Sequence, residues 1–176
     1  MPSSFEFIAS AIATAGSQSS LSFTSIPSTY EHLYVVFNCR STRSSGGTDS
    51  LNIKFNNSST SDYYTKRTAS GLTPGIDVSA GGSSGYLSYC PQETSSDNWE
   101  ANTWVNGTII IPMYKYTQPK SYYCTWNVDN NTNYSAQGYA GGVFTPTGAI
   151  NRIDIISASG NNISQYSSAY LYGIKI

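Results

Sequence analysis

No run of ten or more residues in this chain combines helical spacing with good helix formers, so its backbone has to find hydrogen bonds between strands. The sequence offers short β-prone runs separated by Gly, Ser, Asn and Pro. Leu51, Ile53 and Phe55 alternate with Asn52 and Lys54. Successive strand side chains point to opposite faces, so this is a strand with one face on a core. The run LYVVF at 33–37 is apolar without alternation and rich in β-branched and aromatic residues, which predicts a central strand covered on both faces. Between the two, residues 41–48 (STRSSGGT) hold no large apolar side chain and two glycines, and predict an exposed hairpin loop. About ten such strands with turn signals at near-regular spacing predict an all-β fold. The expected form is a single-domain, two-sheet antiparallel β-sandwich over 1–176, jelly-roll-like and with minimal helix. Periodicity alone does not separate it from an immunoglobulin-like Greek key.

Along the chain, 5–13 reads as a first strand and 21–23 as a short second one. Pro27 fixes its own backbone angle and biases Ile26 toward an extended form, making 26–30 a shaped corner over which Tyr30 is expected to fold, ring buried and hydroxyl paired. Residues 63–67 predict a strand near an edge. The Gly, Pro and Ser content of 69–84 predicts a long surface loop. Strands follow at 86–90 and 104–114, the latter ended by Pro112, and a polar loop between them carries Trp99. The paired glycines within 139–144 predict an edge strand or bulge. Ile150, Ile153, Ile155 and Ile156 fill another strand, and 169–174 closes the chain.

Charged residues make up 11% of the sequence, nine Lys+Arg against ten Asp+Glu, so no global field favours nucleic acid or an anionic membrane. Ser, Thr, Asn, Gly and fifteen tyrosines form a neutral, hydrogen-bonding surface suited to other proteins or sugars. Cys39, Cys90 and Cys124 show no C-x-x-C pair, and free buried thiols are expected rather than a disulfide framework or zinc site. The apolar segment 5–15 is preceded by no positive side chain and interrupted by Glu6, so neither a signal peptide nor a membrane span is expected. Folding in a cytoplasm is the corresponding expectation.

Candidate chemistry is sparse. His32 is the sole histidine, and its neighbours supply no triad or metal set. Asp97 and Glu100 share a loop with Trp99, the nearest thing to a glycosidase-like pair. Asp49, Asp62, Asp77 and Asp129 fall in turn regions without calcium-loop spacing. The stretch GGSSG at 81–85 lacks the lysine and helix of a phosphate loop. No catalytic residue, metal or cofactor is expected. Trp104 and Trp126 read as core residues, whereas Trp99, Tyr116 and Tyr122 are the candidates for stacking on a glycan or touching a partner.

Four motifs occur in order from Phe23 to the end: F-x-x-I-P-x-x-Y-x-x-L at Phe23, Ile26, Pro27, Tyr30 and Leu33; an alternating strand ending in Phe55-Asn56; I-x-I-P-x-Y at Ile109, Ile111, Pro112 and Tyr114; and Leu171, Tyr172, Gly173 and Ile174. The set resembles structural proteins of tailed bacteriophages. That resemblance implies a jelly-roll virion module without catalytic residues, assembled in a bacterial cytoplasm into symmetric oligomers, often trimers, with the major capsid protein or other virion proteins as partners. Three roles are open on the sequence. They are a decoration or cement protein on the capsid, a glycan-binding module on a tail or fibre, and a polysaccharide-degrading enzyme using Asp97 or Glu100.

Overall fold

A computed structural model of the chain describes residues 4–14, 18–44, 49–70, 75–90, 103–129 and 135–176. Twelve strands and no helix form among them: β1 (Ser4–Ile12), β2 (Ser20–Phe23), β3 (His32–Cys39), β4 (Asp49–Phe55), β5 (Tyr63–Ser70), β6 (Gly75–Gly82), β7 (Gly85–Cys90), β8 (Val105–Pro112), β9 (Lys120–Asp129), β10 (Ser135–Phe144), β11 (Ile153–Ser157) and β12 (Ser168–Lys175). One sheet has eight strands in the order β1-β12-β3-β8-β9-β10-β5-β6, the other four in the order β2-β11-β4-β7. The successive pairs β1/β2, β3/β4, β7/β8 and β11/β12 each divide between the sheets. This is jelly-roll winding. The hairpins β5-β6 and β9-β10 extend the larger sheet beyond that frame.

Each strand's alternation sends one set of side chains between the sheets. Leu33, Val35, Phe37 and Cys39 of β3 are buried, as are Leu51, Ile53 and Phe55 of β4 and Ile109 and Ile111 of β8. An aromatic cluster lies at the centre of this core. Phe55 sits 5.4 Å from Phe144, 6.0 Å from Tyr122 and 6.1 Å from Tyr63 by ring centroids, while the Phe55 amide donates to the Tyr63 hydroxyl at 2.7 Å.

Four expectations are corrected. Strand β3 is interior to its sheet but covered on one face only, because no third layer lies outside the sandwich among the described residues and Val36 stays exposed. The β3–β4 connection is a crossing between sheets and not a hairpin, since its flanking strands belong to different layers. The region read as a surface loop contains β6, held by antiparallel pairing to β5, where backbone hydrogen bonds need no apolar side chain. Strand β10 is interior, between β9 and β5. Its glycines make room: a Cβ on Gly138 would lie 2.7 Å from the Trp126 ring, and one on Gly142 3.0 Å from the Tyr122 ring.

The four sequence motifs meet at one end of the sandwich. Register places Gly173 opposite Leu33, and the Tyr30 ring lies directly over Gly173. The Tyr30 hydroxyl is paired as expected, donating to Glu6 at 3.2 Å, but the ring is half-buried where burial was expected. Tyr114, from the I-x-I-P-x-Y strand, donates its hydroxyl to the Pro27 carbonyl. Asn56 donates to the Ala149 carbonyl at 2.8 Å and accepts from the Asn151 amide at 2.9 Å. Asn56 and Asn57 both carry positive φ (52° and 55°), the turn for which asparagine is suited. A Cβ on Gly173 would come within 2.2 Å of the Tyr30 ring. Gly173→Ala is therefore expected to destabilise the protein by about 1–3 kcal/mol by overpacking. Urea unfolding should show Tyr30→Ala/Gly173→Ala losing less than the sum of the two single changes.

Cys39 and Cys124 are free, buried thiols, and burial pushes both up from their ordinary value. Neither is expected to react with a thiol reagent in the native protein, and both should become labelled on unfolding, as read by peptide mass spectrometry.

Candidate functional site

The outer face of the eight-stranded sheet is one continuous surface, and strand register lays its side chains in rows. One row runs Ser168–Asn38–Asn106–Asn127–Gln137 over β12, β3, β8, β9 and β10. The next, two residues along each strand, runs Tyr170–Val36–Thr108–Thr125–Tyr139. A third carries Tyr172, Tyr34, Ile110 and Tyr123. The first two rows line a concavity of about 590 Å³ that carries no charged side chain among the described residues. Thr108 and Thr125 hydroxyls bond each other at 2.9 Å on its floor. A second concavity of about 600 Å³ lies alongside, bounded by Tyr64, Lys66, Thr68, Tyr123, Tyr139 and Val143. Tyr139, 57% exposed, stands between the two, stacked on Tyr123 at 6.1 Å.

Toward the β1 edge the same face turns apolar. Phe5 (60% exposed) packs edge-on against Tyr34 at 5.4 Å, and Phe7 (59% exposed) against Tyr172 at 5.8 Å. Both phenylalanines come from one strand whose outer neighbour position is empty among the described residues, because β1 ends the sheet. The Lys175 ammonium reaches both Glu6 oxygens, at 2.7 and 2.9 Å, and this pairing holds the Glu6 carboxyl below the ordinary glutamate range.

The residues singled out by sequence fall into three groups. Phe23, Ile26, Leu33 and Leu171 are buried core, while Pro27, Tyr30 and Gly173 build the corner described above, with Tyr172 and Ile174 on the outer face of β12. Tyr116 is exposed on the turn after β8, where its hydroxyl donates to Glu31 at 2.7 Å. That bond keeps the Glu31 carboxyl low, with Lys115 adding an ion pair at 3.1 Å. Tyr122 is corrected: it is buried, and its hydroxyl meets Thr65 at 3.1 Å and the Tyr86 carbonyl at 3.2 Å. Strand alternation turns Tyr122 inward and its neighbour Tyr123 outward, so Tyr123 is the exposed one of the two. Trp99, Asp97 and Glu100 lie outside the described residues. Trp126 is core, as expected, and Trp104 is half-buried just before β8.

His32, Asp49, Asp62 and Lys120 sit apart from both concavities. His32 accepts the Met113 amide at 3.1 Å. Asp49 is buried among serine hydroxyls, and Asp62 is held low by Ser58 and Thr60. The buried Lys120 ammonium donates to the Gln118 and Thr147 carbonyls, and burial pulls its pKa down. It clamps a turn. Among the described residues no group of three or more His, Cys, Asp or Glu is placed to hold a metal ion. The rows Asn38–Gln137 and Tyr170–Tyr139 escaped sequence reading because their members are scattered over a hundred positions and only register assembles them.

No protein-family model matches the chain, and no curated protein matches it. Among solved structures it is similar to the CBM2 module of the evolved Dit of Lactobacillus casei BL23 phage J-1, at 10% identity over 95% of this chain and 77% of that one. The TM-score is 0.22, a likeness that carries no argument about either chain's role.

Proposed function

We propose that this chain is a non-enzymatic virion protein of a tailed bacteriophage, a decoration or cement protein that sits on the capsid surface, stabilises it and acts by adhesion. The observation that carries the reading is the β1 end of the large sheet, where exposed Phe5 and Phe7 pack on half-buried Tyr34 and Tyr172 beside a strand that, among the described residues, has no outer neighbour. Exposed apolar patches of this kind serve as contact surfaces, and an unpaired edge is open to further contact. The partner is the major capsid protein or a neighbouring copy in a homo-oligomer, with a trimer the favoured form. Many symmetry-related copies give avidity without strong individual contacts. Quantitative mass spectrometry of purified particles tests this. Hundreds of copies on heads support decoration, and absence from particles removes it. Phe5→Ser combined with Phe7→Ser should release the protein from particles while leaving its β-sheet circular dichroism unchanged.

The rows of amides and tyrosines favour a second reading, a tail or fibre module that recognises a host glycan. A handful of copies at the tail would select it.

A further inference from the structure

We infer that the concavity between Tyr170 and Tyr139 is a binding site for a neutral polysaccharide lying across the strands. This deepens the glycan reading above, and it holds whether the chain sits on a head or on a tail.

Register brings Asn38, Asn106, Asn127 and Gln137 side by side on four consecutive strands. At the spacing of hydrogen-bonded strands, the row presents an amide about every 4.8 Å. Each amide offers both a donor and an acceptor, the combination that matches a hydroxyl, which also gives and takes a hydrogen bond. A phosphate or carboxylate only accepts, and an ammonium only donates. Among the described residues the lining contains no Asp, Glu, Lys, Arg or His, so none of them neutralises a charged ligand. A polymer of uncharged, hydroxyl-bearing rings is the chemistry that fits.

The neighbouring row gives the site its ends. Tyr170 and Tyr139 lie four strand spacings apart, about 19 Å, and between them Val36, Thr108 and Thr125 present shorter side chains. Tyrosine rings offer a flat apolar face with a polar tip, suited to stacking on the C–H face of a sugar. The floor is rigid: the Phe37 and Trp126 rings fill the space beneath Gly107 and Gly138, where a Cβ would come within 2.4 and 2.7 Å of them. A preformed floor spares the ordering cost of binding. Asn38, in the amide row, carries an unsatisfied acceptor. Its Oδ1 is shielded from solvent and has no hydrogen-bond partner among the described residues. A buried acceptor without a donor is unfavourable, so turning the Asn38 amide oxygen toward a ligand hydroxyl would be favourable. A protein occupant is better suited to the β1 end, where the large exposed apolar rings lie.

The test is affinity electrophoresis of the full chain through gels holding a soluble glucan, a galactomannan or a xylan, with alginate as the anionic comparison. At least one neutral polymer should retard the protein, and alginate should not. Asn127→Ala with Gln137→Ala should weaken retardation about tenfold, as should Tyr139→Ala. The near-isosteric Asn127→Asp/Gln137→Glu pair should weaken it as well, while Tyr116→Ala, on the turn beyond the far end of β8, should leave it unchanged. Circular dichroism must match the parent for each variant. Retardation by none of the polymers overturns both the site and the glycan reading, and equal retardation by alginate overturns the neutral-polymer site. Retardation that the amide and tyrosine variants do not alter leaves glycan binding standing and overturns this site.

Discussion

Replacing Phe55 by alanine is expected to lower the unfolding free energy by about 3–5 kcal/mol, the range for truncating a fully buried aromatic side chain. Phe55 is the last residue of β4 and the ring on which three other aromatic rings converge, two from the larger sheet's β9 and β10 and one from β5. Removing it takes contact surface from both layers at once. The surrounding rings are held by their own bonds, Tyr63 to the Phe55 amide and Tyr122 to Thr65, so they are poorly placed to collapse into the space. The cavity therefore persists, which places the cost toward the upper end. In urea unfolding the midpoint should fall while the dependence on denaturant stays the same. A loss below about 1 kcal/mol would mean that the two sheets do not meet at this point.

Asp49→Ala is expected to cost about 3 kcal/mol or more, because it leaves several buried donors without an acceptor. Asp49 opens β4, is 2% exposed, and accepts from Ser41 Oγ at 2.5 Å, Ser157 Oγ at 2.7 Å, Ser159 Oγ at 2.9 Å and the Ser50 amide at 2.7 Å. Ser41 follows β3 in the large sheet, and Ser157 ends β11 in the small one. One carboxylate thus ties the crossing between layers to the strand beside it. The thermal midpoint should drop by about 6–12 °C, judged from the entropy of unfolding of a chain this size. Asp49→Asn, which keeps an acceptor oxygen, should lose less. Equal stability of Asp49→Ala and the parent would show that the serine cluster does not hold the crossing.

Both positions show what could be read from the sequence. The alternation Leu51, Ile53, Phe55 identified a strand, its face and its core residues, since period two is a direct consequence of the pleat. Pro27 and the asparagine turn after Phe55 were legible for the same reason, because each fixes a backbone angle locally. What a strand pairs with was not legible. LYVVF at 33–37 has the composition of a doubly covered strand, yet Tyr34 and Val36 face outward. Strand β6 carries glycine, serine and aspartate that resemble a loop, and it is a strand only because β5 offers a partner. Gly138 and Gly142 resemble a bulge until the Trp126 and Tyr122 rings are seen to occupy the missing side chains' places.

The site was less legible than the fold. With Tyr122 and Tyr123 adjacent, alternation requires one inside and one outside, but two identical residues leave the phase undetermined. Asn38, Asn106, Asn127 and Gln137 each look like an ordinary outward polar residue on its own strand. Their meaning as a row depends on three registers, and register is a property of pairing that no single segment carries. The corner motifs show the opposite pattern, being conspicuous in sequence and structural in role, with Tyr30 over Gly173 and Tyr114 on Pro27.

Under the proposed function adhesion lies at the β1 end of the large sheet, which leaves the amide row open to a ligand. Electron cryomicroscopy of purified phage particles measures that arrangement directly. The predicted density seats Phe5 and Phe7 against the capsid lattice or a neighbouring copy, with Tyr139 and Gln137 facing outward. Particles that lack the chain, or that carry it with the β1 edge free in solvent, would contradict it.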